Sequence, residues 1–367
     1  MAVPSSLALN YDALLSHTLF NYQPKMADNI AKGNKVVSIL KEEGQWDEVD
    51  GGERLQFNLM YGFNTTADVY SGYGQLDTTP QDGMTAAFYD WTQAAVSIAI
   101  SGKEEMQNSG KAAILKLLDD KIKQAEISGA DLLNGCIVSG RITASANLGR
   151  FLQVTGRMDS GASGPLPLAA LIDANPTRSA AIGNINPNTS TWWANQASSS
   201  TATTFAGLKL ELNSVYNNCS KGTGGAPNWM IGDQVAWQTY WGALSALERY
   251  VVDDERVLNV LGGSEAMKFR KAKFFWDEIV PDVETNATVA WGQQAAVGTV
   301  STSNIWFLNT QFMQFKVHKN RNWITTPFIK PVGQDAKVAE SLWMGALGVN
   351  NRRKQGVLYG ISQSITS

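Results

Sequence analysis

The most constraining feature of this sequence is a long hairpin pattern at residues 55–100. The segments LQFNLMY, from Leu55, and AVSIAIS, from Ala95, alternate apolar and polar side chains, as half-buried strands do. Between them, Ser71–Gly83 is rich in glycine, proline and Asp-Gly turn signals. An arm such as Leu55–Tyr70 would extend roughly 50 Å, and a free hairpin of that length is unstable in water. We therefore expect the hairpin to rest on another protein surface.

The second constraint is an unusually long helical pattern, predicted at residues 103–134. Its apolar side chains recur at steps of three and four residues, which places them on one helical face. The pattern exceeds the mean helix length of about a dozen residues and ends at Asn134-Gly135, a common helix stop. It therefore predicts a rigid structural helix. The apolar stripe consists of Ile114, Leu118, Ile122, Ala125, Gly129 and Leu132.

Weaker patterns complete the secondary-structure prediction. Residues 151–204 are rich in glycine, serine and threonine, which is typical of a soluble, loop-rich insertion. Further helices are predicted at Tyr11–Phe20, Ala27–Lys41, Phe205–Tyr216 and Asp233–Tyr250, the last capped by Asp233. Strands are predicted at Lys273–Val280, Met313–His318, Ser341–Val349 and Gln355–Ile361.

Composition limits the classes of function. The chain has 367 residues, of which 44% are hydrophobic, so we expect a globular protein of two or three structural units. A net charge of −3 argues against a surface that grips nucleic acid everywhere, and no apolar run reaches the ~18 residues of a membrane span. The two cysteines, Cys136 and Cys219, are predicted to be ordinary buried thiols.

No motif of a common catalytic site is present. The sequence lacks a P-loop, a GxSxG nucleophile elbow and a GxGxxG segment after a strand. Adjacent acids such as Asp253–Glu255 point in different directions on a helix or strand, unlike the opposed carboxylates of a glycosidase. Trp192 and Trp193 are the best candidates for a carbohydrate platform, although packing is the commoner role of aromatic residues. No cofactor is expected. Two alternatives stay open: a carboxylate-pair hydrolase, and a carbohydrate-binding phage or surface protein.

The distribution of charge along the chain is more informative than its sum. Residues 42–90 hold ten acidic residues and one basic residue, a net charge of −9, whereas residues 316–367 have a net charge of +6. Opposite charges at two ends of one chain suggest head-to-tail contact between copies.

We expect nine residues at these contacts between copies. The basic triplet is predicted to form a charged turn between two strands, with acids of a neighbouring subunit as its partners and DNA phosphate as the second choice. The loop residues combine acidic groups with aromatic anchors. The nine residues are Arg352, Arg353 and Lys354 in the triplet, and Glu53, Asp68, Tyr70, Tyr73, Asp77 and Asp82 in the hairpin.

The order of these parts resembles the Hong Kong 97 fold, an α+β fold of major capsid proteins from tailed double-stranded DNA bacteriophages. The segment AAVSIAISGKEEMQNSG (Ala94–Gly110) looks like the strand that enters the spine helix of that fold. The segments NIWFLNTQFMQFKVHKNRNW (Asn304–Trp323) and WMGALGVNNRRKQGVLYGI (Trp343–Ile361) look like its closing strands.

The resemblance implies a domain order and a set of partners. The implied domains are an N-terminal arm (1–49), an extended loop (50–93), a peripheral domain (94–150 and 325–367) with spine helix 103–134, the insertion (151–204) and an axial domain (205–324). The implied function is a structural, non-enzymatic subunit. It self-assembles into pentamers and hexamers of an icosahedral head, is assembled in the host cytoplasm and ends in the virion. The implied partners are further copies of the chain, packaged double-stranded DNA on the inner face, a portal protein, an optional cement or decoration protein, and no membrane.

Two more expectations follow from the resemblance. About 50 residues precede the extended loop, too few for the long scaffolding segment of some family members, so we expect a separate scaffolding protein. Other members join neighbouring subunits by an isopeptide bond from a loop lysine, but no lysine lies between Lys41 and Lys103. We therefore expect the loop to be held by charge and by burial of its apolar side chains, namely Leu55, Phe57, Leu59, Tyr70 and Tyr73.

Overall fold

The computed structural model describes residues 35–107, 117–138, 167–177, 181–222, 224–245, 267–277 and 302–362, and residue 365. The helices are α1 (Lys35–Glu42), α2 (Gly102–Gln107), α3 (Leu117–Val138), α4 (Leu168–Leu171), α5 (Phe205–Ser220) and α6 (Gln234–Ser245). The first strands are β1 (Trp46–Val49), β2 (Leu55–Met60), β3 (Met84–Tyr89), β4 (Thr92–Ser101), β5 (Gln196–Ser199), β6 (Trp229–Gly232) and β7 (Met267–Phe269). The remaining strands are β8 (Ala272–Trp276), β9 (Thr302–Leu308), β10 (Met313–His318), β11 (Ile324–Thr325), β12 (Ala336–Val349) and β13 (Gly356–Ser362).

A five-stranded sheet is built around the long strand β12. Strand β4 pairs with β12 from residue 336 to residue 345, while β10 and β11 pair along its other edge and β1 extends the sheet beyond β10. Helix α3 lies against this sheet: Lys121 Nζ donates to the carbonyl of Ala99 at 3.0 Å. A Cβ at Gly129 would come within 2.7 Å of the Trp323 ring. Helix and sheet are therefore packed closely enough to form one rigid unit.

A six-stranded sheet forms the second unit, in the order β5-β13-β9-β6-β8-β7. Trp306 and Leu308 of β9 face the main core, which this sheet shares with the five-stranded sheet, whereas Ile305 and Phe307 face helices α5 and α6. Because both faces are covered, its central strands are apolar in consecutive positions rather than alternating.

The hydrogen bonding of the strands crosses the predicted domain boundaries, which stay a prediction. Strand β13, placed in the peripheral domain, joins the six-stranded sheet, and β10, placed in the axial domain, joins the five-stranded sheet. Strand β1 of the predicted arm pairs with β10, and β5 of the predicted insertion pairs with β13. Boundaries read from sequence assign contiguous segments, whereas strand pairing joins segments that are distant in the chain.

The predicted helices are confirmed where the structure describes them. Helix α3 covers the predicted spine from residue 117 and continues to Val138, and α1 overlaps the predicted Ala27–Lys41 segment from Lys35 and ends one residue beyond it. Asp233 caps α6 by accepting from the Ala236 N–H at 3.2 Å. The predicted helix at Tyr11–Phe20 and residues 108–116 lie outside the described residues. Among the described helices, none is long and apolar enough to cross a membrane.

The hairpin differs from its prediction in length and in partner. Strand β2 pairs with β3 over six residues each, while the segment AVSIAIS belongs to β4 and pairs with β12. A period of two identifies a strand but not its partner. Regular strand pairing stops after Met60, and two bonds from Tyr61 and Gly62 to the Gly83 carbonyl follow it. Beyond them, side chains bond to nearby backbone, as Asn64 Oδ1 does with the Thr66 N–H at 2.9 Å, and such local turns compete with a ladder.

Candidate inter-subunit surfaces

The root of the extended loop is packed into the chain's own body. Leu55, Phe57 and Leu59 all face inward from β2 and are buried against a cluster that includes Trp193 and Ala346. Burying one large apolar side chain contributes about 1.5–3 kcal/mol. The root is therefore a rigid base within a single copy, and these three residues are buried without a neighbouring subunit.

The loop beyond the root is exposed. Residues 60–88 carry more of the large exposed apolar side chains than the rest of the described chain. Tyr73 is fully exposed, Phe63 is 96% exposed and Tyr70 is 62% exposed. The expectation that Tyr70 and Tyr73 are buried is thus not met within one copy. Large apolar side chains presented together on a loop mark an interaction surface.

The predicted acidic residues of the loop also lie in solvent. Glu53, Asp68, Asp77 and Asp82 are exposed. The pKa of Asp77 is lowered because its carboxylate accepts hydrogen bonds from the hydroxyl and the N–H of Thr79. The loop therefore presents negative charge beside its aromatic side chains at neutral pH.

The structure corrects the predicted exposure of the basic triplet. Arg352–Lys354 forms a short 3₁₀ turn between β12 and β13, but Arg352 is only 1% exposed. Its guanidinium donates to the carbonyls of Leu171 (2.9 Å) and Trp193 (3.2 Å) and to Asn195 Oδ1 (3.0 Å). Burial lowers the pKa of Arg352 to about 10, so it stays charged at neutral pH. It is an interior connector, not a contact to a neighbouring acid or to DNA.

Lys354 is also turned inward, and only Arg353 of the triplet is exposed. Lys354 Nζ donates to the carbonyls of Lys221 at 3.0 Å and Gly222 at 3.3 Å, just past the end of α5. A helix C-terminus leaves carbonyls unpaired and favours a cation. The sequence did contain a signal for this burial. The triplet lies between two strands that are apolar in consecutive positions, and such strands place the connecting turn next to the core. An inter-subunit role stays a prediction for Arg353 alone.

Part of the predicted charge complementarity is satisfied within one copy. Because β1 runs parallel to β10, Asp47 lies 3.9 Å from Lys316 and Asp50 lies 3.8 Å from Lys319. These exposed pairs contribute ~0–1 kcal/mol each. The charge that is left to face a partner is therefore mainly that of the loop.

A second exposed apolar surface was missed by sequence reasoning. Ile324, Ile329 and Val332 lie at one end of the five-stranded sheet and are 47%, 67% and 104% exposed; we call these three residues the tip patch. Lys330 and Lys337 are exposed within the same segment. Three apolar residues in a turn-rich segment with two prolines were a usable signal, since such turns are normally polar.

The two alternative functions find little support in the described residues. Trp193 is buried and its indole N–H donates to the Ile182 carbonyl at 2.9 Å, while Trp192 stacks on Tyr61. The tryptophan pair therefore packs the loop root instead of forming a sugar platform. The buried acids Asp233 and Asp277 accept hydrogen bonds from Ser303 and Asn134. In the described parts of the chain, no group of three or more His, Cys, Asp or Glu residues is placed to hold a metal ion.

Comparisons with known proteins agree with this architecture. No protein-family model matches the sequence, and no curated protein is similar enough in sequence to count as a match. Among solved structures, the cyanophage A-1(L) capsid is 13% identical with a TM-score of 0.62, covering 94% of this chain and 97% of that one. The SrpI encapsulin of Synechococcus elongatus is 9% identical with a TM-score of 0.54, covering 99% and 98%. The capsid of the native GTA particle is 9% identical with a TM-score of 0.52, covering 98% and 100%.

Matches of this kind span nearly the whole length of both proteins, so the likeness is in the arrangement of all parts and not in one shared motif. The expected α+β architecture is confirmed: this chain has the Hong Kong 97-like capsid fold.

Proposed function

We propose that this chain is the non-enzymatic structural subunit of a closed icosahedral shell, the head of a tailed double-stranded DNA phage, built from pentamers and hexamers. The fold supports this proposal, and one observation carries it: loop 61–83 presents exposed aromatic and acidic side chains on a base that is packed within one copy. Monomeric soluble proteins rarely expose a group of large apolar side chains of this kind, whereas a subunit buries them against its neighbours.

The tip patch of a second copy is the surface that suits this loop. Loop 61–83 has three acidic residues and no lysine or arginine. The tip patch is flanked by Lys337 and by Lys330, which also pairs with Asp335 of the same segment at 3.0 Å. Both surfaces are apolar at their centres, so opposite charges would set the register while apolar burial supplies the affinity. The contact joins two different surfaces, and such head-to-tail contacts can close into rings.

Cysteine pairing tests this contact. We expect the double variant Tyr73→Cys and Val332→Cys to form disulfide-linked multimers in assembled particles. Burial raises the pKa of Cys136 to about 11 and of Cys219 to about 12, so the native thiols stay protonated and unreactive near neutral pH. The matched control pairs Tyr73→Cys with Ser214→Cys, an exposed position on α5. Equal cross-linking in both, or none in the first, would overturn the contact.

A second shell function is favoured by the likeness to an encapsulin over 99% of this chain. The nucleic-acid content of purified native particles separates the two. A phage head is expected to hold double-stranded DNA, to carry a portal and to need a separate scaffolding protein. Particles without DNA, or correctly sized shells from this chain expressed alone, would favour the encapsulin-like shell. A chain that never forms particles, even when produced together with the other proteins of its native source, would exclude both.

A further inference from the structure

The extended loop leaves the body through a narrow neck formed by Tyr61, Gly62, Asp82 and Gly83. The N–H groups of Tyr61 and Gly62 both donate to the Gly83 carbonyl, at 2.9 and 3.4 Å, and the Tyr61 hydroxyl donates to the Asp82 carbonyl at 3.1 Å. A Cβ on Gly83 would lie 3.1 Å from the Gly62 oxygen. The two chain segments therefore cross at van der Waals distance, and the orientation of this neck sets the direction of everything beyond it.

The packed root of the hairpin ends before the neck. Met60 and Met84 form the last pair of β2 and β3, Met60 lies on the outward face of β2, and beyond this pair Phe63 is 96% exposed. The core that buries Leu55, Phe57 and Leu59 therefore fixes the strands but does not reach the loop.

Contact between neck and body is made by an aromatic stack. The ring of Tyr61 lies on that of Trp192, with centroids 5.0 Å apart and planes at 19°. Trp192 belongs to the 3₁₀ turn Thr191–Trp193. Such a pair adds rotational restraint as well as attraction, because the overlap is lost when either ring tilts.

The turn that carries Trp192 is itself anchored. Its neighbour Trp193 is 1% exposed and donates its indole N–H to Ile182. The Trp193 carbonyl accepts from the guanidinium of Arg352, which also holds Leu171 and Asn195. A continuous chain of contacts thus runs from the interior at Arg352 to the neck at Tyr61.

We propose that Trp192 is a positioning residue that fixes the direction in which the extended loop leaves the body. Because this direction is the same in every copy, the shell has a single size. The proposal rests on the proposed function, in which the loop is the contact between copies. The curvature of a closed shell is set by the angle between adjoining copies, so a loop that leaves at variable angles allows several curvatures.

Spin labels at Ser71→Cys, on the loop, and Ser214→Cys, on α5, report the distribution of distances between loop and body in the dissociated subunit. We expect a narrow distance distribution in the parent protein and in Trp192→Phe, which keeps an aromatic face for Tyr61. A broad distribution is expected in Trp192→Ala. Trp192 is only partly buried, so unchanged far-ultraviolet circular dichroism and a cooperative urea unfolding transition are expected for its variants, and these two measurements separate loop motion from loss of the fold.

Electron microscopy of assembled particles tests the second half of the proposal. We expect Trp192→Ala to lose the single particle size, and Trp192→Phe to restore it. A narrow label distribution in Trp192→Ala, or particles of one size in spite of a broad distribution, would overturn the proposal. A parent chain that forms no shell, even when produced together with the other proteins of its native source, would overturn the proposed function instead. The label comparison would still decide whether Trp192 fixes the direction of the loop.

Discussion

The hydroxyl of Tyr89 and the backbone of Val349 form a reciprocal pair of hydrogen bonds. The hydroxyl donates to the Val349 carbonyl at 2.9 Å and accepts from the Val349 N–H at 3.2 Å. These two residues are 260 positions apart in the chain. They tie the last residue of the hairpin root to the end of β12, and so hold the loop on the body.

Tyr89→Phe should therefore weaken this attachment. The ring and its packing are kept, but a buried N–H and carbonyl lose their partner, which costs about 1–3 kcal/mol. Urea unfolding of the dissociated subunit measures the loss. Tyr73→Phe, which changes an exposed tyrosine in the same way, is the matched control and should leave the free energy of unfolding unchanged. Equal stability of the two variants would contradict the assignment.

The same pair predicts a dependence on pH. Burial raises the pKa of Tyr89 from about 10 to about 12. Between these values the unfolded chain loses the proton and the folded chain keeps it, so the folded state loses stability as pH rises. The advantage of the parent over Tyr89→Phe should thus be constant below pH ~10 and shrink above it. An advantage that grows between pH 10 and 12 would contradict the prediction.

Arg352 and Arg353 are adjacent, but their substitution should change the free energy of unfolding by very different amounts. Arg352→Met leaves three buried acceptors without a donor, each costing about 1–3 kcal/mol, so we expect a loss of about 3 kcal/mol or more in unfolding free energy. Arg353→Met changes an exposed side chain and should shift stability by less than about 0.5 kcal/mol. Denaturant unfolding of the two variants side by side is the measurement. If Arg353→Met were the more damaging, the inward placement of Arg352 would be wrong.

How much was predictable from sequence differs between the body and the site. Periodicity located α3 and β10 because both carry a one-sided apolar pattern, which is a local property. It did not reveal that β4 pairs with β12 and not with β2, since pairing depends on distant segments. The charges of Arg352 and Lys354 suggested exposure. Their burial is stabilised by carbonyls from Leu171, Trp193, Lys221 and Gly222. A local sequence pattern cannot predict these contacts, because the acceptors come from distant parts of the chain.

Gly129 offers a test of the contact between spine helix and sheet. Alanine is a better helix former than glycine by about 1 kcal/mol, yet its Cβ would lie 2.7 Å from the Trp323 ring, and such overpacking typically costs 1–3 kcal/mol. We therefore expect Gly129→Ala to destabilise the parent protein. In a Trp323→Leu background the same change should stabilise, because the space is open. A double-mutant cycle by thermal unfolding measures the coupling, and simple additivity would contradict the close packing.

The last prediction concerns how assembled particles are held together. An isopeptide bond from the loop requires a lysine amine, and residues 42–102 contain none. Their single cation, Arg54, pairs with Asp90 at 3.0 Å, and a guanidinium stays protonated and is a poor nucleophile. Contacts between copies must then be non-covalent along this loop, and the ~1.5–3 kcal/mol from each buried anchor is repeated at every subunit. Native particles boiled in denaturant should give one band near the 39.8 kDa mass of the chain. As a control, the Tyr73→Cys and Val332→Cys particles should give a ladder that reducing agent collapses. A ladder from native particles that survives reduction would show a covalent link and refute the prediction.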